Sequence, residues 1–371
     1  MSRVLFFIHS LAGGGAERVT ASLANHWAAN GWEIAIVTLA SRSLDAYPLH
    51  PHIVRFELGR AVASGGSLRG LWMNPARIRA LRRVLRVYQP GVAVAMMSSA
   101  NIVLAIAARG VNGVRPIGSE RIHPPQMPLT PVWERLRKWS YKWLFAVVAL
   151  TDESAHWLAR ETCARRVRVI PNAASWPLPD AHTNLTPPPP DDGRKILLAV
   201  GRFQGQKNFS LLIDVFARLA ALHHDWDLAI VGDGPGRETL EAQVRAMDLA
   251  TRVRMPGFAG NIAAWYGRAD VFVLSSRFEG FPNALAEAMA HGLPAVAFDC
   301  PTGPRDIVRH GVDGLLVTAN DADELHASLD RLMSDAATRN QFAQRALEVR
   351  ERFAMPAIVS LWECLFAESG A

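Results

Sequence analysis

Short runs of β-branched and aromatic residues alternate with longer stretches of helical periodicity from the start of the chain. Residues 4–8, 33–38, 53–56, 92–96, 116–119 and 145–150 are predicted strands. Between several of them, 16–29, 74–88 and 101–108 repeat apolar positions at 3.6-residue spacing and are predicted helices. Strand and helix in alternation imply a parallel sheet covered by helices on both faces. The same alternation returns after a proline-rich stretch, with strands expected at 195–200, 228–231, 253–255, 271–274 and 295–298. Proline lacks the amide that a central strand or helix interior needs, so 171–193 is expected to be an exposed connector.

Length agrees with that division. The 371 residues are too many for one ordinary core and suit two. The organisation expected is an N-terminal lobe over 1–170, the linker over 171–193 and a C-terminal lobe over 194–353. A last helix, about 354–368, is expected to pack back on the first lobe. Half of the residues are hydrophobic, which excludes a disordered chain. No run approaches the roughly 20 apolar residues of a membrane span, and the opening MSRVLFFIHS reads as a buried first strand, not a signal peptide. Cys163, Cys300 and Cys364 lack metal spacing and are expected to be ordinary buried residues in a reducing cytoplasm.

In doubly wound sheets ligands sit beyond the carboxyl ends of the strands, so the loops there carry the candidate chemistry, facing a cleft between the lobes. After the first strand comes HSLAGGGAERV, where Gly13, Gly14 and Gly15 precede a helix. Glycines let a ligand approach the backbone, and the helix start offers amides to a phosphate or hydroxyl. A nicotinamide site would also need an acidic residue closing the second strand; that strand ends Val37-Thr38-Leu39. The oxidoreductase reading therefore fails.

The second lobe opens with AVGRFQGQKNF. Arg202 follows the strand, and Lys207 lies near the start of the next helix, a pair of cations suited to a diphosphate. Gly232 turns the chain after the next strand, on the same sheet edge. In SSRFEGFPNALAEAMA, Glu279 stands in a loop and Glu287 inside the helix that begins near Pro282. The amides of Asn283, Ala284 and Leu285 are expected to be open to a phosphate, and Glu287 to accept from a ribose diol.

Glu279 and Glu287 in EGFPNALAE resemble the E-x7-E signature of retaining GT-B glycosyltransferases of family 4. GGGAER, IPNA, GRFQGQKNF, VGDGPGRETL and DCPTGPRDI resemble that family in order and spacing. The resemblance implies an α/β GT-B fold, two doubly wound parallel-sheet domains facing a central cleft. It implies sugar transfer from a nucleotide diphosphate sugar, of the UDP class, with the departing phosphate as base. Arg202 and Lys207 would bind the diphosphate, Glu279 the donor sugar, Glu287 the ribose, and Gly14 and Gly15 the diphosphate or acceptor. Neither a cofactor nor a metal is implied. Asp321-Ala322-Asp323 opens a helix, where acids suit the macrodipole, and reads as a cap. Many members carry a histidine where this chain reads SERIHPP. His123 or the pair Glu120-Arg121 would take its place on the acceptor side.

Charge extends the picture. Up to residue 190 the chain has 22 Lys and Arg against 10 Asp and Glu; beyond it, 18 against 24. The first lobe should thus face something anionic. On a helical wheel 131–144 puts Trp133, Leu136, Trp139, Trp143 and Leu144 on one side and Arg135, Lys138, Tyr141 and Lys142 on another, a pattern of interfacial helices. The arginines of 74–88 add to it. The family members that the motifs resemble suggest a glycan acceptor carried on a polyprenyl diphosphate, and hence a peripheral site at the inner face of the cytoplasmic membrane. The alternatives are a nucleotide-sugar 2-epimerase of the same fold, whose family lacks this E-x7-E context, and a non-enzymatic protein that binds anionic lipid or nucleic acid. Nucleic acid would need stacking aromatics among the cations, whereas the wheel puts the tryptophans on the apolar side.

Overall fold

A computed structural model of the chain describes residues 3–59, 68–178, 183–189 and 193–370, with the backbone alone for 68–74. It divides into two compact units, Met1–Asn172 with Pro356–Ala371, and Ala173–Met355.

Among the described residues the first unit has a sheet of seven parallel strands. These are β1 (Arg3–Ile8), β2 (Glu33–Thr38), β3 (Val54–Glu57), β4 (Val92–Met96), β5 (Arg115–Ser119), β6 (Ala146–Ala149) and β7 (Val167–Val169), in the order β3-β2-β1-β4-β5-β6-β7. The second unit has six: β8 (Lys195–Val200), β9 (Trp226–Val231), β10 (Val253–Gly257), β11 (Val271–Leu274), β12 (Ala295–Asp299) and β13 (Gly314–Thr318), in the order β10-β9-β8-β11-β12-β13. Both sheets are doubly wound. The order reverses between β1 and β4 in one and between β8 and β11 in the other, the points where such sheets open a crevice.

Helices on both faces explain the continuous apolar strands: VAVAM of β4 is buried throughout, as is WDLAIV of β9 with its Asp227. Asp227 is held by Arg194 and Arg252. The helix Phe209–Ala220 buries Leu212, Ile213, Phe216 and Leu219 on one stripe. Two strands were not foreseen. β7 has three residues around an exposed Arg168, and β13 begins on a glycine, so neither shows a run of β-forming residues.

The proline-rich segment differs from a free connector. Leu185 exchanges bonds with the Asn261 side chain and accepts from Trp265 Nε1 at 3.0 Å, and Pro188 accepts from Arg268 Nε at 2.9 Å. Proline loses its donor but keeps its carbonyl, and those carbonyls fasten the segment to the second unit. Residues 179–182 and 190–192 of the segment lie outside the described residues.

The helix Met355–Glu368 lies, from Pro356 onward, with the first unit. Trp27 Nε1 donates to Glu363 at 2.9 Å, and Phe366 packs on Trp27 and Trp32. The cysteine expectation is corrected: Cys300 is buried, but Cys163 and Cys364 are exposed, one in the loop before β7 and one on the outer side of the last helix.

Candidate active site

The loops after β8 and β11, neighbours at the switch point of the second sheet, bring two predicted residues together. Lys207 Nζ donates to Glu279 Oε1 at 2.6 Å, with side-chain exposures of 17% and 9%. β8 ends at Val200, and the chain runs through Gly201 and Arg202 into a single 3-10 turn, Gly205–Lys207. The lysine stem crosses Gly201 so closely that a Cβ there would stand 2.8 Å from Lys207 Cε. Asn208, with φ +55°, then turns the backbone into the helix Phe209–Ala220.

Backbone bonds fix the pair. Ser275 Oγ donates to the Lys207 carbonyl at 2.8 Å, Gln206 Nε2 to that of Phe278 at 2.9 Å, and Thr302 Oγ1 to that of Glu279. Gly303, at φ +97°, brings its loop against the Glu279 loop; a Cβ would meet Pro282 Cδ at 2.7 Å. Gly201, Ser275, Gln206 and Thr302 were not picked out from sequence. Their signal was only proximity to the motifs, since each acts through a carbonyl or through lack of a side chain.

Arg202 is exposed on the same edge, and its loop is locked by the next one. Phe203 donates its amide to the Asp233 carbonyl at 2.9 Å, and Gly232 is so close that a Cβ would stand 1.9 Å from the Gly201 carbonyl oxygen. Gly232 has φ +147° besides, so its need is steric twice over.

The helix Asn283–Ala290 follows Glu279 with Pro282 as its cap. One expectation is corrected here. The amide of Leu285 already donates to the Pro282 carbonyl at 3.0 Å, and that of Ala286 to the same oxygen at 3.2 Å. The helix starts tightly, which takes Leu285 out of the set Asn283, Ala284 and Leu285 expected to be open to an anion. Glu287 is buried one turn on and accepts from Tyr266 at 3.3 Å. His291 Nδ1 donates to the Glu287 carbonyl at 2.7 Å, and burial holds this imidazole below its ordinary pKa. Cys300 sits close enough for burial and then the Glu279 charge to push its thiol up to about 12.

In the first unit, Gly14 caps the helix Gly15–Ala29, one residue earlier than predicted. Glu17 folds back on the loop, accepting from the Gly13 amide at 2.7 Å and from Ser10 Oγ. At the end of β5, Glu120, Arg121 and His123 are all buried. Glu120 accepts from Ser98 Oγ at 2.6 Å and from Tyr141, and burial raises its pKa. Arg121 donates to Asn172 and Ser119, and burial lowers it to about 9. His123 Nδ1 stands 3.0 Å from Ser154 Oγ, and burial lowers it too. Glu120 is thus committed internally and Arg121 only through its two terminal nitrogens, its buried Nε having no hydrogen-bond partner, and among the described residues His123 keeps Nε2 without a protein partner.

The wheel of 131–144 is corrected as well. The helix ends at Ser140, and a 3-10 turn, Tyr141–Trp143, follows. Tyr141, whose amide still donates to the Arg137 carbonyl, lies in the core on Glu120, and Trp139 is 48% exposed among the cations. Of the arginines in the helix Leu68–Tyr88, Arg77 is buried and Arg82 caps carbonyls of 106 and 107. Asp321 accepts from the amides of Asp323 and Glu324.

Two family models match the chain: "Glycosyltransferase Family 4" over residues 13–175 and "Glycosyl transferases group 1" over residues 183–349. An exopolysaccharide phosphotransferase of Streptomyces coelicolor is 36% identical over 60% of this chain and 23% of its own length. A Campylobacter jejuni α-1,4-N-acetyl-D-galactosaminyltransferase, named for a GalNAc-containing undecaprenol diphosphate, is 25% identical over 99% of both chains. The chain spans about half the length, or less, of several curated relatives that it matches. Among solved structures, Anabaena HepE in complex with UDP and glucose has the same fold, with a TM-score of 0.81 at 20% identity over 99% of this chain and all of that one.

Proposed function

The chain belongs to glycosyltransferase family 4, with two Rossmann-like units of the GT-B type, and from that premise we propose that it transfers a sugar from a nucleotide diphosphate sugar to a glycan acceptor with retention at the anomeric carbon. The observation that carries this reading is the Lys207–Glu279 pair at the β8/β11 switch point. A sugar diphosphate laid there meets two cations, Lys207 and Arg202, for the charge that grows on the leaving phosphate. Glu279 faces the sugar and orients Lys207, Glu287 takes the ribose, and Asn283 and Ala284 take phosphate oxygens at the helix start.

The bond from the anomeric carbon to the diphosphate breaks as the bond to the acceptor oxygen forms on the same face. The acceptor proton passes to the departing phosphate, so no side-chain nucleophile is needed. The protein's share is positioning and charge stabilisation. UDP is the donor class this reading adopts, supported by the solved HepE complex. A lipid diphosphate glycan is the acceptor class, supported by the name of the full-length Campylobacter relative. On the acceptor side Gly14, Gly15 and His123 serve, with Glu120 and Arg121 as the frame that holds the loop. Such an acceptor places the enzyme against an anionic membrane surface on the cytoplasmic side, through Trp139 and its neighbouring cations.

A thermal screen of nucleotide sugars tests the donor, since a ligand of the native state raises Tm. A UDP-sugar should give the largest shift, and the product should keep the donor's anomeric configuration by NMR. An inverted product, or no shift with any nucleotide sugar, overturns the reading.

A further inference from the structure

The first unit holds a concavity at the amino end of its sheet. It has a volume of about 470 Å³ and lies at the amino ends of β5, β6 and β7, lined by the chain just before or at each strand's start. The Gly13–Gly15 and Glu120–His123 loops leave the carboxyl ends of β1 and β5, so the two places are separated by the length of the strands. A ligand here would not touch the machinery described above.

The chemistry of the lining is one-sided. Arg109, Arg115, Lys142, Arg165 and Arg166 face it, and no carboxylate does among the described residues. Some of these cations have work already. Arg115 Nε donates to the Ser369 carbonyl at 3.0 Å, and Arg166 pairs with Glu368 at 3.1 Å. Arg109 and Arg165 are exposed and have no ion pair among the described residues. Aromatic faces hold two of the five in place: the Arg109 guanidinium lies 4.1 Å from the Trp143 ring and that of Arg166 4.4 Å from Phe145. A stacked guanidinium keeps its in-plane N–H groups for a second partner, the geometry that suits a phosphate.

With Arg166 paired to Glu368, the four other cations around the hollow have no ion pair among the described residues, an arrangement that an anion would stabilise. The volume suits a phosphate-bearing group of small-molecule size. Beside it Trp139, 48% exposed, meets Trp143 edge to face at 4.1 Å between ring centres, with Lys142 Nζ 4.7 Å from its ring. We propose that this pocket is a phosphate-binding site separate from the donor diphosphate site, taking either an anionic lipid headgroup or a soluble phosphomonoester.

The test uses the full chain and needs no sugar transfer, so it stands or falls apart from the proposed activity. Glycerol 3-phosphate, by calorimetry, and phosphatidylcholine vesicles with or without phosphatidic acid, by sedimentation, are offered to wild type, R109Q/R165Q and K207A. The pocket variant should weaken one of the two probes by about tenfold or more, the scale of losing a charge-assisted contact, while K207A leaves that probe unchanged. Loss confined to phosphatidic acid vesicles identifies a lipid headgroup; loss of glycerol 3-phosphate identifies a soluble phosphoester. Wild-type binding of both probes by R109Q/R165Q overturns the proposal, as does loss of both through K207A alone. Circular dichroism checks the fold, and the single exposed variant R165E should show the same direction of effect.

Discussion

Lys207 and Glu279 form an ion pair of 2.6 Å between two loops 72 residues apart in sequence, both largely withdrawn from solvent. Removing one partner strands the other charge, which costs about 3–5 kcal/mol in a fully buried pair and less here, where the lysine is part-exposed. Lys207→Met and Glu279→Gln should each lower Tm, and the double variant should recover most of that loss. Turnover should fall at least about a hundredfold in all three, the scale of a lost charge-stabilising group. Near-normal turnover in the stable double variant removes the pair from the reaction.

Gly201 and Gly232 separate function from folding. A Cβ on Gly232 would stand 1.9 Å from the Gly201 carbonyl oxygen, at a φ that only glycine adopts freely. Gly232→Ala should therefore leave little folded protein. Gly201→Ala meets only the Lys207 stem, whose flexible end can move aside. Its Tm should change little while turnover falls. Expression yield, thermal melts and initial rates distinguish the two, and equal effects would contradict the assignment.

How legible was this in the sequence? The strands β2, β4, β8 and β11 were read to the residue, because a sheet covered on both faces writes unbroken apolar runs. β7 and β13 were not: β7 is a three-residue edge strand interrupted by the exposed Arg168, and β13 is a short edge strand that opens on a glycine. Glu279, Lys207 and Glu287 stood out as charges beside helix starts. That Lys207 meets Glu279 did not, because pairing of β8 with β11 is a long-range fact of strand order. Tyr141 was misjudged because sorting a wheel by residue type does not say which arc meets the core; the buried arc runs through Arg137, Ser140 and Tyr141. The basic hollow was visible only as an excess of arginine, as its five cations come from four separate segments.

The diphosphate charge is assigned to Arg202, Lys207 and backbone amides. Asp321 spends a carboxylate oxygen on capping its own helix. Turnover should accordingly persist in excess chelator. Abolition by chelator with rescue by magnesium or manganese would show that a cation shares the neutralisation.

Acid should loosen the first unit through His123. Burial holds its pKa below 6.5, so between that folded value and 6.5 the unfolded chain binds more protons than the folded one. Stability is thus fully present above about 6.5 and declines as pH falls, flattening below the folded pKa. His9 in the same unit is lowered too and adds the same sign, as His291 does for the second unit. Glu120, raised by burial, has the opposite sign, its contribution being lost as pH rises above about 4.5. Because Glu120 opposes it over an overlapping range, the His123 share is read as a difference: in denaturant melts, the stability of wild type relative to His123→Gln should fall as pH drops below about 6.5. An unchanged slope in that variant would mean His123 is not held neutral.

The exposed helix cations give the last prediction. Arg135 and Lys138 point to solvent on the helix Pro131–Ser140, next to Trp139. If that face meets an anionic bilayer, each cation contributes about 1 kcal/mol, and the attraction fades over roughly a Debye length. Binding to anionic vesicles should weaken as salt rises, and R135Q/K138Q should weaken it further without changing donor affinity. Lys142 is a less clean probe, since it lies over the Trp139 and Trp143 rings and lines the basic hollow. R135Q/K138Q/K142Q should lose more binding than R135Q/K138Q, and the excess measures what the hollow and its indoles add. Equal binding to neutral and anionic vesicles would leave the indoles as the sole contact. No binding to either would detach this helix from any membrane role and return its cations to a solvated surface.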